Sequence, residues 1–252
     1  MQELLKLEIY TFLFVFLRIG AAFSCMPGFA TSYVNTRIRL SCALLVSVVV
    51  AALLADKIPS IPKTNSEFVL LMLFEITYGV FIGFTMQFLF SALSLVGSFA
   101  GQAIGFGNAQ AFDPTTLNQS IVVESFLSIL AITVIFLTNL HHLMISALVD
   151  SYTLLPPSKT LPVNDFAMFL AETLNNSFIT GFKVASPFIA FSLVFYTGIG
   201  LVSRLMPQLN IFFLSLPLQI YLGLGLFLMT IPVMILWFVK YYEEGLMNFV
   251  SN

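Results

Sequence analysis

Three charged residues lie within or beside long apolar runs, where a charge is costly unless it has a partner. Arg18 interrupts the first run, Glu75 the third, and Arg204 stands just before two closely spaced prolines. A charged side chain at membrane depth pairs with an opposite charge, meets backbone carbonyls or lines a water-filled cavity. These residues predict either buried ion pairs that hold helices together or a polar site for a transported solute. For Arg18 a further alternative is a side chain that snorkels toward the Pro27 end of its helix.

Patterns for catalysis or metal binding are missing from the sequence. His141 and His142 are adjacent, so they point to different faces of a helix, and no third ligand accompanies them. No serine or cysteine stands in a motif with a general base, and neither a phosphate-binding loop nor a GxGxxG turn in a βαβ context occurs. Cys25 and Cys42 are interpreted as small apolar side chains rather than as a disulfide. We predict a protein that is not an enzyme and uses no metal or cofactor.

The composition is that of an integral membrane protein. Of the 252 residues, 59% are hydrophobic, 28 are phenylalanine and 9% are charged, and the mean hydropathy is +0.99. A soluble domain of this size cannot hide so much apolar surface in one core. The net charge of -2 comes from ten basic and twelve acidic residues spread singly, which argues against nucleic acid as a partner. We predict one all-α membrane subunit over 1–252.

Apolar runs and helix breakers indicate where the helices lie. The first run, 4–24, is long enough to cross most of a ~30 Å hydrocarbon core, and it shows no cleavage pattern, so we expect it to stay in the protein. Basic residues flank both ends of the second run, so charge leaves the orientation open. A segment at 164–181 is amphipathic and is expected at an interface or against a partner. The other helices are predicted at 40–55 and 67–96, in a run that ends at 138, in a short run that ends at 152, and at 183–202 and 218–239. Pro187 is predicted to break the helix at 183–202 near its start.

The third predicted helix carries a regular stripe of small residues. Glu75, Gly79 and Gly83 follow one another at intervals of four and therefore share one face. The two glycines form a small-xxx-small pattern, which lets another helix backbone approach closely. The spacing predicts a seam between helices with the Glu75 carboxylate pointing into it. The alternative is that these glycines are merely common in membrane helices.

The segment after the third helix is rich in glycine. Its glycines and closing turn are Gly97, Gly101, Gly105, Gly107 and Asp113-Pro114. Each glycine weakens a helix by about 1 kcal/mol relative to alanine, so a stable lipid-facing helix is not expected here. Irregular backbone at membrane depth is tolerated where it is buried in protein or lines a passage. We predict a segment that packs closely against other backbone or lines a narrow passage.

Two prolines and several amides separate the last two apolar runs. Pro207 and Pro217 break the backbone hydrogen-bond ladder, so one continuous helix is not expected. The amides of Gln208, Asn210 and Gln219 then need partners in protein or water, because lipid offers none. We interpret the motif as a turn buried in protein, with the last two helices forming a hairpin about it. An ordinary polar loop is the alternative, and the apolar residues before Pro217 disfavour it.

This motif resembles the C-terminal signature of the FliR family of flagellar export-gate proteins, whose relatives serve in virulence-associated type III secretion. It reads Met-Pro-Gln-Leu-Asn-Ile-Phe and then Leu-Pro-Leu-Gln-Ile, within 206–220. The resemblance covers essentially the whole chain, because further landmarks recur in the expected order. They are Arg18, Pro27, Arg37 with Arg39, Glu75 with Gly79 and Gly83, the glycines from 97 to 107, and Asp113-Pro114.

The resemblance implies a fold of steeply inclined helical hairpins, with a FliP-like part at 1–180 and a FliQ-like hairpin at 181–252. It implies a structural subunit that lines and closes the channel for unfolded substrate proteins in the bacterial inner membrane, within the flagellar basal body. FliP and FliQ are the implied co-assembling subunits, with FlhB and FlhA nearby. The residues implied to close the pore are Gly101, Gly105, Phe106, Gly107, Asn108, Phe112, Asp113 and Pro114.

Two functions from different classes remain. A structural subunit of a protein-export gate accounts for the glycine seam, the Gly/Asp-Pro segment and the C-terminal turn. A secondary transporter of a small solute would use the three charged residues as a midplane site, but no inverted repeat is evident. We favour the export gate, and the match at 206–220 favours the flagellar over the virulence branch. The expected roles are assembly for Arg18, Glu75 and Arg204, and turn formation for Pro207, Gln208, Asn210 and Pro217.

Overall fold

The computed structural model describes residues 2–31, 34–54, 64–106, 121–157, 163–208 and 211–250. Within these ranges the chain forms seven α-helices and no strand. They are α1 (Gln2–Cys25), α2 (Thr36–Leu53), α3 (Asn65–Ile104), α4 (Ile121–Leu137), α5 (Leu140–Leu154), α6 (Val163–Leu205) and α7 (Ile211–Met247). Helices α2, α3, α6 and α7 are long and apolar enough to cross a membrane, and the broken pair α4–α5 is a fifth candidate. The predicted all-α membrane class is confirmed.

Three helices are much longer than one upright membrane crossing requires. Helix α3 has 40 residues, α6 has 43 and α7 has 37. At about 1.5 Å per residue these correspond to roughly 55–65 Å of helix, about twice the ~30 Å of a hydrocarbon core. Each of these helices must therefore tilt, bend or extend beyond the hydrocarbon. The number of apolar helices is for this reason not a count of membrane crossings.

The chain divides into two compact units. Unit 1 comprises Met1–Phe90, Phe136–Leu174 and Tyr242–Asn252, and unit 2 comprises Ser91–Ile135 and Asn175–Tyr241. The divisions fall inside α3, α4, α6 and α7, so each of these helices contributes residues to both units. The two units are described separately below.

Aromatic side chains pack together in the core of unit 1, where Phe81, Phe166 and Phe249 are buried and Phe169 is half-buried. Phe81 of α3 stacks on Phe166 of α6, with ring centroids 4.1 Å apart. Phe169 meets Phe249 edge-on at 5.6 Å. Such stacked and edge-on ring pairs add stabilisation beyond the area they bury. The start of the amphipathic segment predicted at 164–181 thus packs inside this unit, through Phe166.

In unit 2, helices α6 and α7 run antiparallel. Phe188 of α6 is fully buried and contacts Phe227 of α7, with ring centroids 6.3 Å apart. Further along, the hydroxyls of Ser177 and Tyr241 share a hydrogen bond of 2.8 Å. Ser177 pairs with Tyr241 and the later residue Phe188 pairs with the earlier residue Phe227, so the two helices run in opposite directions. The predicted hairpin of the last two helices is therefore confirmed.

Helix α3 continues beyond its predicted end and includes Gly97 and Gly101. The expectation that glycine would end the helix before these positions was wrong. Leaving backbone groups unpaired in apolar surroundings costs several kcal/mol, more than the ~1 kcal/mol by which each glycine weakens a helix. The predicted close packing is found, because a Cβ on Gly97 would lie 2.7 Å from the Cα of Glu124 on α4. Gly97 thus allows α3 and α4 to approach.

Proline does not interrupt the helices where the sequence predicted it. Helix α6 passes through Pro187, and α7 contains Pro217 and Pro232. The predicted breaks at Pro187 and Pro217 were therefore wrong. Membrane helices tolerate proline because neighbouring helices and side chains satisfy the freed carbonyls. The turn between α6 and α7 is consequently shorter than predicted and lies around Pro207.

Candidate functional site

A buried ion pair joins α1 and α3 within unit 1. The Arg18 Nε atom donates to one carboxylate oxygen of Glu75 at 2.7 Å, and an Arg18 Nη atom donates to the other at 2.9 Å. Both residues are fully buried. This two-point geometry is the strongest pairing that a guanidinium and a carboxylate make. Arg18 therefore does not snorkel to an interface; it is paired with Glu75 inside the helix bundle.

The rest of the Arg18 guanidinium is held by α5. It donates to the Ser151 hydroxyl at 3.2 Å and to the carbonyl of Leu155 at 3.1 Å. Its carbon lies 3.9 Å from the ring centroid of Tyr152 and 4.8 Å from that of Tyr78. Leu155 directly follows α5, where carbonyls lack partners within the helix. A single arginine thus joins α1, α3 and the end of α5.

Two glycines bring the backbones of α1 and α3 together next to this ion pair. A Cβ on Gly79 would collide with the carbonyl oxygen of Arg18, and a Cβ on Gly83 would lie 2.8 Å from that of Ala22. Both clashes are with backbone atoms, which cannot turn away. The structure thus places Gly79 and Gly83 in a helix seam, as the spacing predicted, with α1 as the partner helix.

The enclosed geometry suits a structural role better than a solute site. Both oxygens of Glu75 accept from Arg18, and the guanidinium has carboxylate, hydroxyl, carbonyl and aromatic partners. Replacing such partners with a solute would leave a buried charge unpaired, at a cost of several kcal/mol. Arg204 was expected among the buried charges, but it is exposed near the end of α6. That expectation is corrected, because the last turns of α6 lie on the surface of the chain.

At the other candidate site, α3 ends at the start of the predicted pore-closing segment. Gly101 lies in the last turn of α3 instead of a loop, Gly105 follows with φ +95°, and Phe106 is half-buried. Only glycine adopts such a φ without strain, and it commonly ends helices in this way. The remaining predicted residues, Gly107, Asn108, Phe112, Asp113 and Pro114, lie outside the described residues.

The C-terminal turn is exposed on this chain and not buried as predicted. Pro207 and Gln208 are exposed in the turn, and Pro217 is exposed within α7. Asn210 lies outside the described residues. Gln219 alone among the amides described in this motif is buried, and its Nε2 donates to the carbonyl of Ala103 at 3.0 Å. The motif thus places one amide inside unit 2 and leaves its prolines at the surface.

Sequence reasoning missed Ser151, Tyr152 and Tyr78 as parts of the ion-pair site. Tyr78 carries a local signal, since it lies one helical turn after Glu75. Ser151 lies 133 residues from Arg18, and no local pattern connects the two. Among the described residues, no group of three His, Cys, Asp or Glu side chains is placed to hold a metal. Cys25 and Cys42 are both free.

Fold and site together define a class, that of all-helical membrane proteins in which a buried ion pair joins helices. The family model described as bacterial export proteins, family 1, matches residues 9–245. The chain belongs to this family. The family resemblance inferred from the C-terminal motif is thereby confirmed.

Relatives with a shared name extend over nearly the whole chain. The chain is 36% identical over 237 residues to the flagellar biosynthetic protein FliR of Caulobacter vibrioides, covering 94% of each protein. It is 31% identical over 231 residues to the protein of that name in Bacillus subtilis, covering 90% of this chain and 87% of the relative. It is 32% identical over 224 residues to the protein of that name in Escherichia coli, covering 86% of this chain and 82% of the relative.

Proposed function

We propose that the protein is a structural subunit of the flagellar type III protein export gate in the bacterial inner membrane. It lines and closes the channel through which unfolded flagellar substrates pass. The observation that carries the proposal is the family match over 9–245, which begins within α1 and ends within the last residues of α7. The relatives at 31–36% identity that are named for flagellar biosynthesis support the flagellar branch.

The distribution of apolar surface supports co-assembly with other subunits. Large apolar side chains on α6 and α7 are exposed, including Val194 at 74% and Met229 at 80%. Such surface in a membrane protein is covered by lipid or by other helices. We propose FliP and FliQ as the covering subunits, with FlhB and FlhA nearby. The proposed division into a FliP-like part, 1–180, and a FliQ-like hairpin, 181–252, explains why one chain would pack beside both.

Native mass spectrometry tests the assembly. The chain, tagged after residue 252, is co-expressed with FliP and FliQ and extracted in detergent. We expect one copy of the chain in a multi-subunit complex. A lone monomer or homodimer under the same conditions would contradict the proposed gate. Uptake of a small solute by proteoliposomes that hold only this chain would instead favour a transporter, a function that the enclosed Arg18–Glu75 pair does not favour.

Closure of the channel is proposed for the segment that starts at Gly105 and includes Phe106, Gly107, Asn108, Phe112, Asp113 and Pro114, with Gly101 in the helical turn before it. Deleting 107–112 tests this while leaving α3 whole. We expect the assembled gate to leak small ions. A shorter deletion, of the four residues 158–161 that precede α6, serves as the control. Equal conductance of the two assembled variants would refute the closure role.

A further inference from the structure

A buried amide of α7 is hydrogen-bonded to the end of α3. Gln219 is 2% exposed, and its Nε2 donates to the carbonyl of Ala103 at 3.0 Å and to the hydroxyl of Tyr196 at 3.1 Å. Ala103 lies among the last four residues of α3, whose carbonyls have no partner within the helix. The amide therefore supplies a hydrogen bond that lipid cannot provide.

The backbones of α3 and α7 approach closely around this amide. A Cβ on Gly105 would lie 3.0 Å from the Cδ of Gln219, and Gly105 also takes the left-handed φ of +95°. One turn along α7, a Cβ on Gly223 would lie 2.7 Å from the Cα of Ile104. Two glycines thus allow α3 and α7 to meet at the amide.

We infer that Gln219 is a positioning residue, which fixes the end of α3, and with it the start of the segment after Gly105, to α7. Tyr196 holds the amide in place from α6, so both helices of the C-terminal hairpin take part. A change in the hairpin would be transmitted to Gly105 through the Ala103 carbonyl. The consequence for leakage rests on the proposed closure function, whereas the attachment itself does not.

A spin label in the last turn of α3 tests the attachment in the assembled gate. Gln102 is exposed there, so Gln102→Cys in a chain with Cys25→Ala and Cys42→Ala accepts the label. Gln219→Leu removes the amide and with it the two hydrogen bonds that its Nε2 donates. We expect roughly a tenfold rise in the ratio of mobile to immobile label, since each lost bond contributes a net ~0.5–1.5 kcal/mol.

Two controls separate a local effect from general loosening. Asn176→Leu replaces an exposed amide of α6 by the same apolar side chain and should leave the spectrum unchanged. A label at Met229, which is 80% exposed on α7, should not respond to Gln219→Leu. If Gln219→Leu does not assemble, Tyr196→Phe removes only the second acceptor and is expected to give about a threefold rise.

Label mobility and ion leakage together distinguish this inference from the proposed function. A spectrum at position 102 that does not change with Gln219→Leu, or with Tyr196→Phe where that variant is used, would overturn the inference whatever the conductance. Raised mobility together with raised leakage supports both ideas. Raised mobility with unchanged leakage supports the attachment and counts against closure by the following segment.

Discussion

The guanidinium of Arg18 and the carboxylate of Glu75 form a two-point contact across the α1–α3 seam, with N–O distances of 2.7 and 2.9 Å. Both side chains are fully buried, and the Arg18 guanidinium also contacts Tyr78, Tyr152 and the end of α5. A buried pair of this kind need not add stability relative to an apolar pair, but it fixes how its helices meet, because each partner is costly alone.

Neutralising Glu75 alone is expected to destabilise the protein more than replacing both Arg18 and Glu75 with apolar residues. In Glu75→Gln, Arg18 stays buried without a counter-charge, at a cost of about 3–5 kcal/mol. The double variant Arg18→Met with Glu75→Leu removes that penalty and should recover much of the stability. Thermal unfolding in detergent measures both variants, with the exposed Glu172→Gln as the control. Equal destabilisation of the single and double variants would show that the charge pairing is not what matters.

The glycine seam predicts a contrast between two alanine substitutions. Gly79→Ala places a methyl group against the backbone carbonyl of Arg18, so α1 and α3 must separate, which costs about 1–3 kcal/mol. Gly198→Ala, in α6, meets no atom within 4 Å and should be neutral or stabilise by about 0.5–1 kcal/mol. Melting temperatures of the two purified chains test this. A neutral Gly79→Ala would mean that the two helices do not pack so closely.

Tyr152 is expected to stabilise the folded protein through its ring and not through its hydroxyl. The ring lies over the Arg18 guanidinium, while the buried hydroxyl has no hydrogen-bond partner among the described residues. Tyr152→Phe should therefore be neutral or stabilising, and Tyr152→Leu should cost about 2 kcal/mol through the lost cation–π contact. Unfolding of the two variants is compared with that of Tyr221→Leu, since Tyr221 is 78% exposed. Equal loss in Tyr152→Phe and Tyr152→Leu would assign the effect to the hydroxyl.

Local spacing predicted one side of the ion-pair site and not the other. Intervals of four put Glu75, Gly79 and Gly83 on one face, because helix periodicity relates nearby residues. The identity of the facing helix was not predictable, because Arg18 lies 57 residues before Glu75 and Ser151 lies 133 residues after Arg18. Contacts at such separations depend on how helices pack, which the pattern of a single segment does not encode.

Helix breaks were over-predicted for a related reason. Intrinsic propensities describe the competition between a helix and a chain solvated by water. In apolar surroundings the unfolded alternative loses its hydrogen bonds, so α3 continues through Gly97 and Gly101, and α6 through Pro187. Only Gly105, with its left-handed φ and buried amide neighbour, ends the helix. The composition of the segment was informative, but it did not indicate which glycine ends the helix, and Gln219, which Gly105 contacts, is far away in the sequence.

Arg204 is expected to matter for assembly and not for the stability of the isolated chain. It is exposed near the end of α6, next to Leu205, which is 80% exposed. A charge on such an apolar surface is unfavourable toward lipid, so we expect an acidic or carbonyl partner on another subunit of the proposed gate. Arg204→Gln should leave the melting temperature of the purified chain unchanged, because surface substitutions usually shift stability by less than about 0.5 kcal/mol.

Substitution of Arg204 should instead lower the fraction of the chain that assembles with the proposed partners FliP and FliQ. Native mass spectrometry after co-expression measures this fraction. Arg204→Glu should reduce assembly more than Arg204→Gln, and Arg204→Lys less, because a partner that accepts hydrogen bonds from a cation repels an anion. Arg37→Gln, an exposed charge near the start of α2, serves as the control. Full assembly of Arg204→Glu would exclude an acidic or carbonyl partner on another subunit. Destabilisation of the isolated chain by Arg204→Gln would show that Arg204 makes its contacts within this subunit.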